Sequence, residues 1–189
     1  IVPTKNINAY KLFLEGRDEA DKRSRESLAK SIILYKEAIA LDPNYAEAYA
    51  EIANSIYLET YYSEKNVEEA SELSSSYLKK AETINDKVSR IYSVRGLIYN
   101  FQQKREAADK AFKKAIELSP NDITARHQYS IFFLYSGQYE KQLEQAEIAY
   151  QLEPLSFPTD NSYFRALTMN NEFERAEEFL DKIQKLHAD

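Results

Sequence analysis

Three short phrases, ALDPNY at positions 40–45, ELSPND at 117–122 and QLEPLS at 151–156, repeat one pattern, and the separation from Pro120 to Pro154 is 34. One such step upstream of Pro120 is Asp86, in TINDKV, a turn of the same character without the proline. From Pro43 to Asp86 the separation is 43, the same period with nine residues inserted. A period of this length constrains the fold strongly. Each unit is too small to bury its own apolar face, so the units must stack on one another into a solenoid whose stability accumulates between neighbours.

The units read as helical. The 189 residues include only three glycines and five prolines, too few for a chain built of turns and hairpins, while Ala, Leu, Glu and Lys recur throughout. Gly96 then stands out, because a glycine inside a helix costs roughly 0.5 to 1 kcal/mol relative to alanine and implies that a neighbouring element comes too close for a side chain. Between Tyr92 and Pro120, large and small residues fall at set places: Tyr92, Gly96 and Tyr99 in one helix, then Ala108, Phe112 and Ala115 in the next, closed by Pro120. This arrangement resembles the tetratricopeptide repeat family, matching seven of eight characteristic positions, with Arg95 standing where leucine is usual.

The resemblance extends in phase along the chain. Gly16, Ser31, Tyr35, Ala38 and Pro43 mark the first unit; Tyr49, Ala53, Ser74, Leu78 and Ala81 the second; Ser130, Phe133, Ala146, Ala149 and Pro154 the fourth, with Gly137 in its turn; and Ala176, Leu180 and Ile183 the fifth. It implies an all-α, right-handed solenoid of about five helix pairs over residues 1–189, with units at about 8–45, 46–88, 89–122, 123–156 and 157–187. The nine-residue insertion either lengthens both helices of the second unit by about a turn or forms a longer loop at YYSEKN. Tyr61 and Tyr62 there are expected to pack on the adjacent unit, with a partner-contacting knob as the alternative. Residue 1 is Ile and the only methionine is Met169, so a fragment of a longer protein is expected. The opening IVPTKN reads as a linker, with Asn8 as the expected cap of the first helix.

Composition excludes several functions. A formal charge of −6, with Lys and Arg interleaved among Asp and Glu, leaves no basic stripe for direct nucleic-acid binding. The longest apolar runs, SIILY and SIFFLY, fall far short of the roughly 18 residues that span a bilayer, so no membrane insertion is expected. Without cysteine there is no disulfide, thiolate metal site or cysteine nucleophile. The three glycines are isolated, which rules out the glycine-rich phosphate loops, and His127 and His187 are too widely separated for any zinc-binding spacing. Acidic pairs such as Glu140 with Glu144 lie beside Lys or Arg and read as solvated helix faces. Neither an enzyme nor a cofactor is expected.

In the family resembled, the first helix of each unit lines a concave surface that receives protein segments. Spacing carries that surface onto Asn54 and Tyr57 in the second unit, Arg90, Leu97, Asn100 and Phe101 in the third, His127, Ile131 and Tyr135 in the fourth, and Arg165 in the fifth. Asn54 and Asn100 suit the backbone of an extended peptide, Arg90 and Arg165 suit carboxylates, and the apolar members suit side-chain pockets, some of them also touching the next helix. The Lys and Asn set with which some relatives clamp a chain's terminal carboxylate is incomplete, since Ala50 and Ser93 occupy two of its places. The expected function is a protein-interaction module for a peptide or protein segment, with a spacer or homodimerisation element as the alternative. NAYKLFLEGR and ALDPNYAEAYAEIA look like phrases in the repeat regions of bacterial signalling proteins, such as nucleotide cyclases and winged-helix regulators, which implies that setting and a cytoplasmic location.

Overall fold

The computed structural model describes residues 4–154 and 156–186. His187, assigned above to the last unit, and Leu155 lie outside them. Among the described residues, ten α-helices follow one another as five hairpins: α1 (Ile7–Asp21) with α2 (Arg25–Leu41), α3 (Ala46–Leu58) with α4 (Val67–Ile84), α5 (Ser89–Phe101) with α6 (Arg105–Leu118), α7 (Ile123–Tyr135) with α8 (Tyr139–Leu152), and α9 (Phe157–Met169) with α10 (Phe173–Leu186). First helices also pack on the first helix of the next pair, α3 on α5, α5 on α7 and α7 on α9, which makes the continuous inner layer of a solenoid.

Short polar side chains set the helix starts. The Asn6 side chain accepts the amides of Asn8 and Ala9, so Asn6 caps α1 and Asn8, the cap expected from the sequence, lies inside the helix. Ser24 and Ser27 cap α2 reciprocally, Asn66 accepts the Glu69 amide, and Asp122 accepts that of Ala125. The turns between paired helices use one device. Arg23, Gln103, Gly137 and Asn171 each take a positive φ, between 50° and 70°, and the last three are spaced at the repeat period.

The second unit departs from that device and accounts for the insertion. Its first helix keeps 13 residues, its second lengthens to 18 against 14 in α6, and a 3₁₀ turn at Glu59–Tyr61 leads into a longer connection before Val67. Only one helix is extended, therefore, and the loop grows as well. Tyr61 meets Tyr57 of its own unit edge-on at 6.1 Å and remains 64% exposed, while Tyr62 is also exposed. The turn itself rests against α2 of the first unit, but both rings stay exposed, so neither is enclosed by the adjacent unit as expected.

The glycines and alanines do what the spacing requires. A Cβ on Gly96 would lie 2.8 Å from two ring carbons of the fully buried Phe112, and one on Gly16 would lie 2.7 Å from the Tyr35 ring. Ala53 and Ala108 are likewise fully buried. The principal core runs through the second to fourth units around Leu78, Ile91, Phe112 and Tyr129, with smaller clusters at either end.

Candidate functional site

A cavity of about 580 Å³ opens on the inner layer, and parts of all five first helices or their connections line it. Its floor is made by Tyr35, Glu51, Asn54 and Arg90, and one wall by the first turns of α7, with Asp122, Thr124 and His127. The mouth is formed by the end of α1 at Arg17, Asp18 and Asp21, the turn residue Arg23, and Glu153 after α8. A wider surface depression of about 910 Å³ lies beside Tyr62 and Lys65, along the lengthened turn of the second unit.

Arg90 organises the floor. Its Nε donates to Glu51 Oε1 at 2.8 Å, and its Nη1 stands 4.0 Å from Asp122 Oδ1. Burial opposes the charge on Arg90, but Glu51 and then Asp122 outweigh it and raise the guanidinium above its ordinary value. Asp122 also accepts from the Ser89 hydroxyl at 2.7 Å while capping α7, so one carboxylate joins the starts of α5 and α7. Burial raises the Asp122 carboxyl, yet Arg90 and those hydrogen bonds together hold it below the usual carboxylate range. Arg90, expected to meet a ligand's carboxylate, bonds through Nε to Glu51 of the unit before it and pairs only loosely with Asp122 at the start of α7, and among the described residues its buried Nη1 has no hydrogen-bond partner.

Among the described residues, several polar atoms around the floor have no hydrogen-bond partner. Tyr35 is fully buried with its hydroxyl unpaired, and its titration is pushed up chiefly by burial. Asn54 is 5% exposed; its Nδ2 points to Glu51 Oε2 at 3.4 Å, which leaves Oδ1 without a donor. His127 Nδ1 is unpaired, and burial, reinforced by Arg23 and Arg165, pushes the imidazole down to about 4. It is neutral at pH 7. Such atoms are costly unless a ligand group or a water bonds to them.

Of the residues picked out by spacing, the cavity brings together Asn54, Arg90 and His127, and Arg165 acts on His127 from just outside the lining. Tyr57 and Leu97 serve packing: both are buried, and the Tyr57 hydroxyl donates to the Leu97 carbonyl at 3.2 Å. Asn100 and Ile131 are half-buried away from the cavity, while Phe101 and Tyr135, the last residues of α5 and α7, are exposed outside its lining. Spacing missed the end of α1 and Tyr35. The polar run GRDEADKR from Gly16 onward was the signal for the first, whereas Tyr35 already had a packing role and its hydroxyl left no trace in the sequence. Among the described residues no three His, Asp or Glu side chains gather as a metal site, and no helix is long and apolar enough to cross a membrane.

Residues 89–122, spanning α5 and α6, match the profile of the tetratricopeptide repeat family. No curated protein sequence matches the chain. Among solved structures, a thermophilic tetratricopeptide repeat protein of Thermus thermophilus superposes with a TM-score of 0.68 at 21% identity, over 86% of this chain and 82% of that one. The pilF protein of Pseudomonas aeruginosa gives 0.64 at 16% identity, over 94% and 76%. YrrB, described as a repeat protein with an unusual peptide-binding site, gives 0.53 at 20% identity, over 94% and 86%. The matched repeat and these superpositions show an all-α helical repeat solenoid that carries a tetratricopeptide repeat at residues 89–122.

Proposed function

We propose that the chain is a protein-interaction module that receives an extended segment of a partner protein in the cavity of its inner layer. The observation that carries this reading is the set of polar atoms around one concave space that lack a hydrogen-bond partner among the described residues, Tyr35 Oη, Asn54 Oδ1, Arg90 Nη1 and His127 Nδ1, contributed by four different units. An extended peptide presents alternating donors and acceptors along its backbone, which is the chemistry those atoms lack. The peptide-binding site described for YrrB, on the same kind of solenoid, adds weight. The resemblance of NAYKLFLEGR to bacterial signalling proteins supports a place in the cytoplasm beside a regulatory domain.

A display selection tests it. A random nonapeptide library is panned on the chain and on Asn54→Ala, with circular dichroism confirming that the variant is folded. Peptides enriched on the first and lost on the second support the reading. Enrichment indifferent to Asn54 contradicts it.

A second reading, homodimerisation, draws on the exposed rings of Tyr61, Tyr135 and Phe157. A dimer that resists dilution and is broken by Tyr61→Glu favours it.

A further inference from the structure

We infer that the cavity selects a basic side chain, the guanidinium of arginine or the ammonium of lysine, on the segment it receives. This rests on the reading above and names its specificity. The first observation is charge. Asp18, Asp21, Glu51, Asp122 and Glu153 place five carboxylates in the lining against three guanidiniums, those of Arg17, Arg23 and Arg90, and His127 adds no charge at neutral pH. On the floor Glu51 balances Arg90, and Asp122 on the adjoining wall, 4.0 Å from Arg90 Nη1, leaves two carboxylates to one guanidinium in the deeper part of the cavity. Asp18, Asp21 and Glu153 stand exposed at the mouth and are screened by salt, whereas the buried Glu51 and half-buried Asp122 are screened less.

The second observation is independent of charge. Asn54 Oδ1 is an acceptor with nothing to accept, its orientation being set by the contact of Nδ2 with Glu51. Only a donor satisfies it, and guanidinium and ammonium groups carry donors and no acceptor. The unpaired Tyr35 hydroxyl in the same lining can accept as well. Asp21 is exposed at the mouth, yet enough protein surrounds its carboxyl to raise it despite the opposing pull of Arg23 and Arg17. A cation passing the mouth stabilises its charged form. An acidic side chain in the same place meets the carboxylate excess and leaves Asn54 Oδ1 unpaired.

The experiment continues the selection. Enriched nonapeptides are sequenced, then remade with each basic residue replaced by norleucine, and affinities for the chain, Asp21→Asn and Glu153→Gln are measured by fluorescence anisotropy at low and high salt. The inference predicts Arg or Lys at one fixed position of the enriched set. It also predicts binding about tenfold weaker on replacement with norleucine or in the Asp21→Asn chain, and weaker binding as salt rises. Free arginine amide should compete only at far higher concentration, which separates a side chain on a peptide from a small cationic ligand; equal competition identifies the small ligand and overturns the assignment to a protein segment. Enriched peptides with no basic position, or affinities unmoved by Asp21→Asn and Glu153→Gln, overturn the inference and leave the groove reading standing. An empty selection removes both.

Discussion

Gly96 offers the sharpest test of the packing, because two effects of alanine at that position oppose one another. In an isolated helix Gly→Ala is favourable by about 1 kcal/mol. Here the added Cβ would lie 2.8, 2.8 and 2.9 Å from three carbons of the Phe112 ring, whereas carbon atoms ordinarily rest about 3.5 to 4.0 Å apart. The ring must retreat, and it has nowhere to go: Phe112 is fully buried, stacked on Tyr129 at 5.2 Å and set against Phe132 at 5.7 Å. Overpacking of this kind costs about 1 to 3 kcal/mol, enough to outweigh the gain in helix propensity. Gly96→Ala should therefore destabilise by about 1 kcal/mol net, and Gly96→Leu by about 3 kcal/mol. Urea unfolding of both variants, and of each combined with Phe112→Leu, gives the numbers. The smaller ring-slot residue should recover about 1 kcal/mol of the loss as a coupling between the two sites. A Gly96→Ala chain as stable as the parent, or effects that simply add with Phe112→Leu, would refute the argument.

Gly137 is the counterpart in which sterics are absent. Nothing lies within 4 Å of a Cβ there, but φ is +70°, so Gly137→Ala should cost about 1 kcal/mol through backbone strain alone, while Gln103→Gly, at φ 59°, should stabilise by up to about 1 kcal/mol; thermal melts check both. Gln142 is fully buried and, among the described residues, neither end of its amide is paired, so Gln142→Met should raise stability by about 1 to 2 kcal/mol, and a fall in the urea midpoint would contradict that. His127 sets a pH dependence. Its folded value near 4 lies below the unfolded value of about 6.5, so between those limits the unfolded chain binds a proton that the folded chain refuses. Stability should fall as pH falls through that window, by up to about 3 kcal/mol, and His127→Gln should flatten that part of the curve; equal pH slopes in parent and variant would exclude His127 as the cause.

The packing was legible in the sequence because small and large residues at helical spacing carry it. Gly96 against Phe112 and Gly16 against Tyr35 are consequences of a repeat in which two helices nearly touch. Where a unit breaks the pattern, spacing misled: one period after Ala108 stands Gln142, and one period after Phe112 stands Ala146, so the fourth unit reverses the order of small and large. Three of the four turns with positive φ use Arg23, Gln103 and Asn171 in place of glycine and gave little local signal. The site was legible only in part. Asn54 and His127 could be placed from the repeat, since first helices face inward. The partners of Arg90 come from other units, and pairing across units depends on how the solenoid curves, which no single-unit spacing encodes. The same curvature brings Asp21, at the end of the first helix, close enough to Glu153, after the eighth, for their charges to interact.

The most direct test of the account is chemical-shift mapping. An enriched nonapeptide is titrated into the isotopically labelled chain, and backbone and Asn54 side-chain amide resonances are followed. The account predicts shifts concentrated on the end of α1, on α3 around Asn54, and on the first turns of α5 and α7 at Arg90 and His127. Shifts confined to the outer helices, or to the exposed Phe157 and Tyr61 surfaces, would contradict it.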